Sequence, residues 1–100
     1  MSTKDERRHF SALADIGCIL CRHLGYGSTP AEIHHIRRFG GKRSNAEVIP
    51  LCTEHHRGNT GVHGLGHKGF EKRYGITEME LRDSATKILH EKEENARLFK

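Results

Sequence analysis

The apolar positions of this chain come in short bursts instead of long stripes. Phe10 and Leu13 stand about one helical turn apart within residues 5–15, and Gly17 follows where that pattern stops, which predicts a short N-terminal helix. Ala31 to Ile36 sets Ile33 and Ile36 around two histidines, and Val48-Ile49-Pro50-Leu51 is a compact apolar run. Both read as short strands. Gly40-Gly41 between them marks a turn over 39–45. Histidine and glycine dominate residues 55–69, which excludes an ordinary long helix there. Phe70 and Tyr74, four apart and followed by Gly75, predict a short helix over 68–74 with both rings in the core. Thr77 followed three residues later by Glu80 is a capping box. The helix it opens carries Leu81, Ala85, Ile88 and Leu89 on one face and is expected to fray after Glu93.

Size and charge bound what such a pattern can build. One hundred residues make one domain with a modest core, too small to be secured by apolar burial alone. The formal net charge of +4 is compatible with a nucleic-acid partner without singling it out, and Glu91-Lys92-Glu93-Glu94 argues against a uniformly basic surface. No segment is long and apolar enough to span a bilayer, and the first residues lack a signal-peptide core. The expectation is a cytoplasmic protein with no membrane partner. Three cysteines cannot all pair within one chain, so metal ligation is the better expectation in a reducing compartment.

The cysteines have the spacing for that. Cys18-x-x-Cys21 and Cys52-x-x-His55 are two half-sites with two-residue gaps, about thirty residues apart, which is zinc-knuckle spacing of the Cys₃His kind. Closing them around one structural Zn²⁺ ties the chain together and couples metal binding to folding. His34, His35, His56, His63 and His67 are left over, enough for a second, catalytic ion.

The string His34-His35, then Asn45, then Leu51-Cys52-x-x-His55-His56 resembles the His-Asn-His (HNH) endonucleases, also called the ββα-metal or His-Me finger fold. More narrowly, "IPLCTEHHRGNTGVHGLGHKGFEKRYGIT" is similar to the phage recombination-enhancement, RecA-dependent nucleases. The resemblance covers residues 16–82 and implies an α+β fold: a small ββα-metal domain stapled by the Cys₃His zinc, with flanking helices. The corresponding division is an N-terminal helical segment over 1–15, a nuclease domain over 16–82, a C-terminal helix over 77–94 packed on it, and a tail over 95–100. It further implies that His34 is a metal ligand, His35 the general base, Asn45 the residue orienting His35, and His56 a second ligand. The third ligand stays open. Thr60 stands one helical turn beyond His56, where the superfamily usually has it, so His63 is favoured, with Asn59 or His67 in reserve.

Residue chemistry adds its own support. Neutral imidazoles leave a bound cation its positive charge and open positions for phosphate and water. An imidazole with a reference pKa of about 6.5 serves as a base near neutrality. Adjacent residues on a strand face opposite ways, so one histidine of the pair can stand off the ion bound by the other. Mg²⁺, Mn²⁺ and Zn²⁺ are all admissible catalytic cations, Mg²⁺ being the least natural among imidazoles. Arg37, Arg38, Lys42, Arg43, Arg57, Lys68, Lys72 and Arg73 are candidate phosphate contacts that position DNA without reading bases.

Three functions compete: a metal-dependent DNA endonuclease, a zinc-stabilised DNA- or protein-binding module with a decayed nuclease site, and an interaction protein whose histidines only bind metal. The pair His34-His35 with Asn45 and His56 favours the first. The resemblance adds a phage or prophage setting in a bacterial host and a RecA-type filament as partner. An apolar end of the last helix could also serve a homodimer.

Overall fold

The computed structural model describes residues 3–36 and 47–98. Helix α1 (Lys4–Ile16) opens on Thr3, whose side chain accepts the Glu6 N–H while the Glu6 carboxylate accepts the Thr3 N–H, and it stops at Gly17, where φ is 81°. The predicted knuckle at Cys18 is itself helical. Cys18 Sγ accepts the Cys21 N–H at 3.4 Å and so caps α2 (Ile19–His23). Strands β1 (Glu32–Ile36) and β2 (Glu47–Leu51) pair antiparallel, with His34 opposite Ile49 and His35 opposite Val48.

The chain then enters α3 (Thr53–Arg57), turns at Gly58–Gly61, and continues as α4 (Val62–Tyr74). The histidine- and glycine-rich stretch is therefore two helices, the second interrupted at Gly66, where φ 76° and ψ 167° break the helical path. The helix expected over 68–74 is only the later part of α4. Helix α5 (Glu78–Leu98) begins at the Thr77–Glu80 capping box, with both hydrogen bonds at 3.0 Å. It runs on past Glu93, where fraying was expected.

The architecture is a small α+β unit: a two-stranded sheet with helices packed around it. Helix α5 lies on β2 and on α1, which also crosses the sheet, while α3 leans on both strands and on α4. Leu13 and Ile16 of α1, Ile19 and Leu20 of α2, Ile49 and Leu51 of β2, Phe70 of α4, and Leu81 and Ala85 of α5 form the core. Phe70 is fully buried and Tyr74 packs beside it, as the four-residue spacing implies. Among the described residues no helix is long and apolar enough to cross a membrane.

Candidate metal centres and active site

Helix α3 is five residues long, yet it serves two clusters. Successive side chains on a helix diverge by about 100°, so His55 and His56 point to different places. His55 turns inward to the cysteines. Its Nδ1 lies 3.7 Å from Cys18 Sγ, 3.5 Å from Cys21 Sγ and 3.3 Å from Cys52 Sγ, and the Cys21 and Cys52 sulfurs are 3.9 Å apart.

A tetrahedral zinc with Zn–S of about 2.3 Å and Zn–N of about 2.05 Å would set S···S near 3.8 Å and S···N near 3.6 Å. The observed spacings match that template, and all three cysteines are free thiols. Burial pushes the Cys18 thiol up to about 12, and burial, aided by the nearby Arg73, lowers the His55 imidazole, so both groups are neutral around pH 7 without a metal. The four side chains can hold one metal ion. The Tyr74 ring closes the site from outside, edge-on to His55 at 5.6 Å.

His56 faces the other way. With His34 of β1 and His63 of α4 it forms a second cluster whose ligand atoms all lie within 4.8 Å of one another. The turn between α3 and α4 explains how His63 arrives there. Glu54 accepts hydrogen bonds from both the backbone N–H and the hydroxyl of Thr60, at 3.1 and 2.6 Å, and Tyr74 donates its hydroxyl to the Thr60 carbonyl at 2.5 Å. The packing tolerates only glycine at its tightest points. A Cβ on Gly61 would sit 2.4 Å from the Glu54 carbonyl oxygen, and one on Gly64 would sit 2.5 Å from that of Gly58. The chain thus doubles back so tightly that a histidine in the next helix returns to His56.

Of the reserve candidates, Asn59 lies in the turn between α3 and α4, and His67 is directed by its Nδ1 to the carboxylate of Glu78 and does not join the close group of three histidines. A cavity of about 490 Å³ opens over the cluster and is bordered by His34, His35, His56, His63 and His67. Burial alternates along β1, with His34 buried and His35 half-buried, but both line this cavity. The Phe10 ring meets His35 edge-on at 5.9 Å.

Two carboxylates back the histidines. Glu32 Oε1 faces His56 Nδ1 at 2.8 Å while its other oxygen takes Arg57 at 2.6 Å. Hydrogen bonds from His56 and Arg57 outweigh its desolvation and hold Glu32 below the usual carboxylate range. A carboxylate can only accept, so His56 donates from Nδ1, which leaves Nε2 as the ring nitrogen able to face a cation. Glu78 does the same for His34, its Oε2 lying 2.6 Å from His34 Nε2. Partial burial of the His63 ring, with His56 and then His34 facing it, lowers its pKa and keeps it neutral and fit to ligate.

A family model described as "Recombination enhancement, RecA-dependent nuclease" matches residues 2–90. The chain belongs to this family of recombination-enhancement, RecA-dependent nucleases. Comparison with curated proteins finds no match. As a member of that family the chain has a nuclease role in recombination, and each of its two histidine-bearing clusters has ligand atoms close enough together to hold a metal ion.

Of the residues singled out in the sequence, Cys18, Cys21, Cys52 and His55 come together in one cluster and His34, His56 and His63 in the other. Asn45, Arg37, Arg38, Lys42 and Arg43 lie outside the described residues. Lys68, Lys72 and Arg73 are exposed on α4, Arg73 over the Tyr74 ring at 5.6 Å, whereas Arg57 is engaged by Glu32. Sequence reasoning passed over Glu32 and Glu78. Glu32 had a signal, since it stands two residues before His34 and shares its strand face. Glu78 had none beyond its place after a helix cap.

Proposed function

We propose that this nuclease is a metal-dependent DNA endonuclease of the HNH type, hydrolysing phosphodiester bonds at the cavity over His34, His56 and His63. The observation that carries this reading is the convergence of three imidazoles from three separate elements, with His35 bordering the same cavity. In this reading His34, His56 and His63 hold one divalent cation, with Mn²⁺ or Zn²⁺ suiting the donor set better than Mg²⁺. When bound, that ion supplies Lewis-acid polarisation of the scissile phosphate and offsets the charge that builds on its oxygens.

The chain's own residues do the rest. His35 takes a proton from the attacking water at a ring nitrogen as the new P–O bond forms and the bond to the leaving sugar oxygen breaks. Asn45 is assigned the orienting role toward His35. Lys68, Lys72 and Arg73 neutralise flanking phosphates, and Arg37, Arg38, Lys42 and Arg43 are assigned the same task. Arg57 acts instead through Glu32, steadying His56. The Cys₃His cluster takes a structural Zn²⁺, and a RecA-type filament is the partner that presents the DNA.

The alternative of a binding module with a decayed site drew its strength from Thr60 standing where a ligand is usual. The tight turn that brings His63 back to His56 supports the catalytic reading over it.

The test is plasmid nicking by protein freed of its labile ion and resupplied with Mg²⁺, Mn²⁺, Co²⁺, Ni²⁺ or Zn²⁺, with and without a RecA-type filament, beside His35→Ala. The expected result is metal-dependent cutting lost in the variant, with both metal sites and the fold retained. A folded, zinc-bearing protein that never cuts would return the assignment to the binding module.

A further inference from the structure

Among the described residues Glu78 is the buried carboxylate, and the nuclease reading leaves it without a task. It is only 3 % exposed, and each oxygen meets a different imidazole: Oε2 meets His34 Nε2 at 2.6 Å and Oε1 meets His67 Nδ1. It is the first residue of α5, where the positive end of the helix favours a carboxylate. A fold has little reason to bury such a group, since desolvating a charge is costly and an apolar side chain would serve packing better. Among the described residues it does not join the group that closes within 4.8 Å, so it stands behind the ligands and not among them.

We propose that Glu78 is a positioning residue of the metal site: it accepts the Nε2–H of His34, fixes that ring's tautomer and orientation, and so presents Nδ1 to the cation. This rests on the reading of His34, His56 and His63 as a metal site. Glu32 performs the mirror-image service for His56, accepting at Nδ1 and leaving Nε2 to the cation. The site is then held by two histidines of opposite tautomer, each backed by a glutamate from outside the histidine cluster. The second oxygen of Glu78 draws His67 away from the cation, which accounts for a cavity histidine that stays out of the close group. It also ties the N-terminus of α5 to β1, so that the last helix takes part in shaping the site.

The experiment loads Co²⁺ into wild type and Glu78→Leu, which has no acceptor for His34, each already carrying zinc at the Cys₃His cluster, and measures affinity by chelator competition together with the Co²⁺ visible spectrum. Loss of a partner behind a ligating histidine weakens metal binding by about 10- to 100-fold. The same loss is expected here, with a changed spectrum, at unchanged zinc content. A variant that binds Co²⁺ with wild-type affinity and spectrum overturns the role of Glu78 and leaves the metal site standing. A wild type that takes up no ion beyond the zinc overturns the metal-site reading and this inference with it. Should Glu78→Leu fail to fold, long-range ¹H–¹⁵N imidazole spectra of the zinc-loaded wild type decide. His34 protonated at Nε2 with a metal-shifted Nδ1 is the expected pattern, and a metal-shifted Nε2 overturns it.

Discussion

Glu32 and His56 sit 24 residues apart in sequence and meet at 2.8 Å across the junction of β1 and α3, with Arg57 closing the group from the solvent side. Ligating histidines depend on such partners for ring orientation. With the proposed cation at His34, His56 and His63, Glu32→Ala is therefore expected to weaken its binding by about 10- to 100-fold, leaving metal content at the Cys₃His cluster as in wild type. Isothermal titration and metal analysis check it. An unchanged affinity would show that His56 needs no help from Glu32.

His63 and His67 are four residues apart, and a regular helix would stack them on one face. The break at Gly66 separates them, one toward His56 and the other toward Glu78. His63→Ala should lose the labile ion and metal-dependent cutting, whereas His67→Ala should still take up that ion. Side-by-side Co²⁺ titrations distinguish the two, and the reverse ranking would exchange their roles.

Gly66 itself has φ 76° and ψ 167°, a conformation that L side chains rarely adopt, though a Cβ there would meet nothing within 4 Å. The penalty of Gly66→Ala is thus backbone strain alone, of about 1–3 kcal/mol. Urea unfolding should show that loss. A variant as stable as wild type would mean that α4 can run straight through this point.

Removing the structural metal proposed for Cys18, Cys21, Cys52 and His55 should unfold the chain, because that ion would tie α2 to α3 across more than thirty residues of sequence. The proton balance sets the sign of the pH dependence. In the metal-bound fold the sulfurs are thiolates, while below about pH 8.5 unfolded cysteines hold their protons. The unfolded state then binds more protons, so stability of the metal-bound protein rises with pH and falls as the solution is acidified. Chelator-induced unfolding followed by circular dichroism should occur at lower chelator concentration at pH 6.5 than at pH 7.5. The opposite order would mean that the thiols do not lose protons on binding.

Much of the local structure was legible. The spacing of Phe10 and Leu13, the Thr77–Glu80 box and the run Val48 to Leu51 specify their elements through contacts within a few residues, and α1, α5 and β2 formed where they point. Helix α5 outlasts the expected fraying point and runs to Leu98, although residues 91–96 are exposed. The Cys18–Cys21 spacing was readable as a half-site, but its helical form follows from a sulfur cap that spacing alone does not reveal.

The sequence by itself determined the candidate ligand types and their short-range spacing: Cys-x-x-Cys, Cys-x-x-His and paired histidines can be read because metal chemistry constrains neighbours along the chain. Only the tertiary structure decided which later histidine returns to His56, and that Glu78 reaches His34 from 44 residues away. Those choices depend on where glycine turns allow the backbone to double back and on which helix end is buried against which strand. Such contacts are made through space, and no local pattern along the chain encodes them.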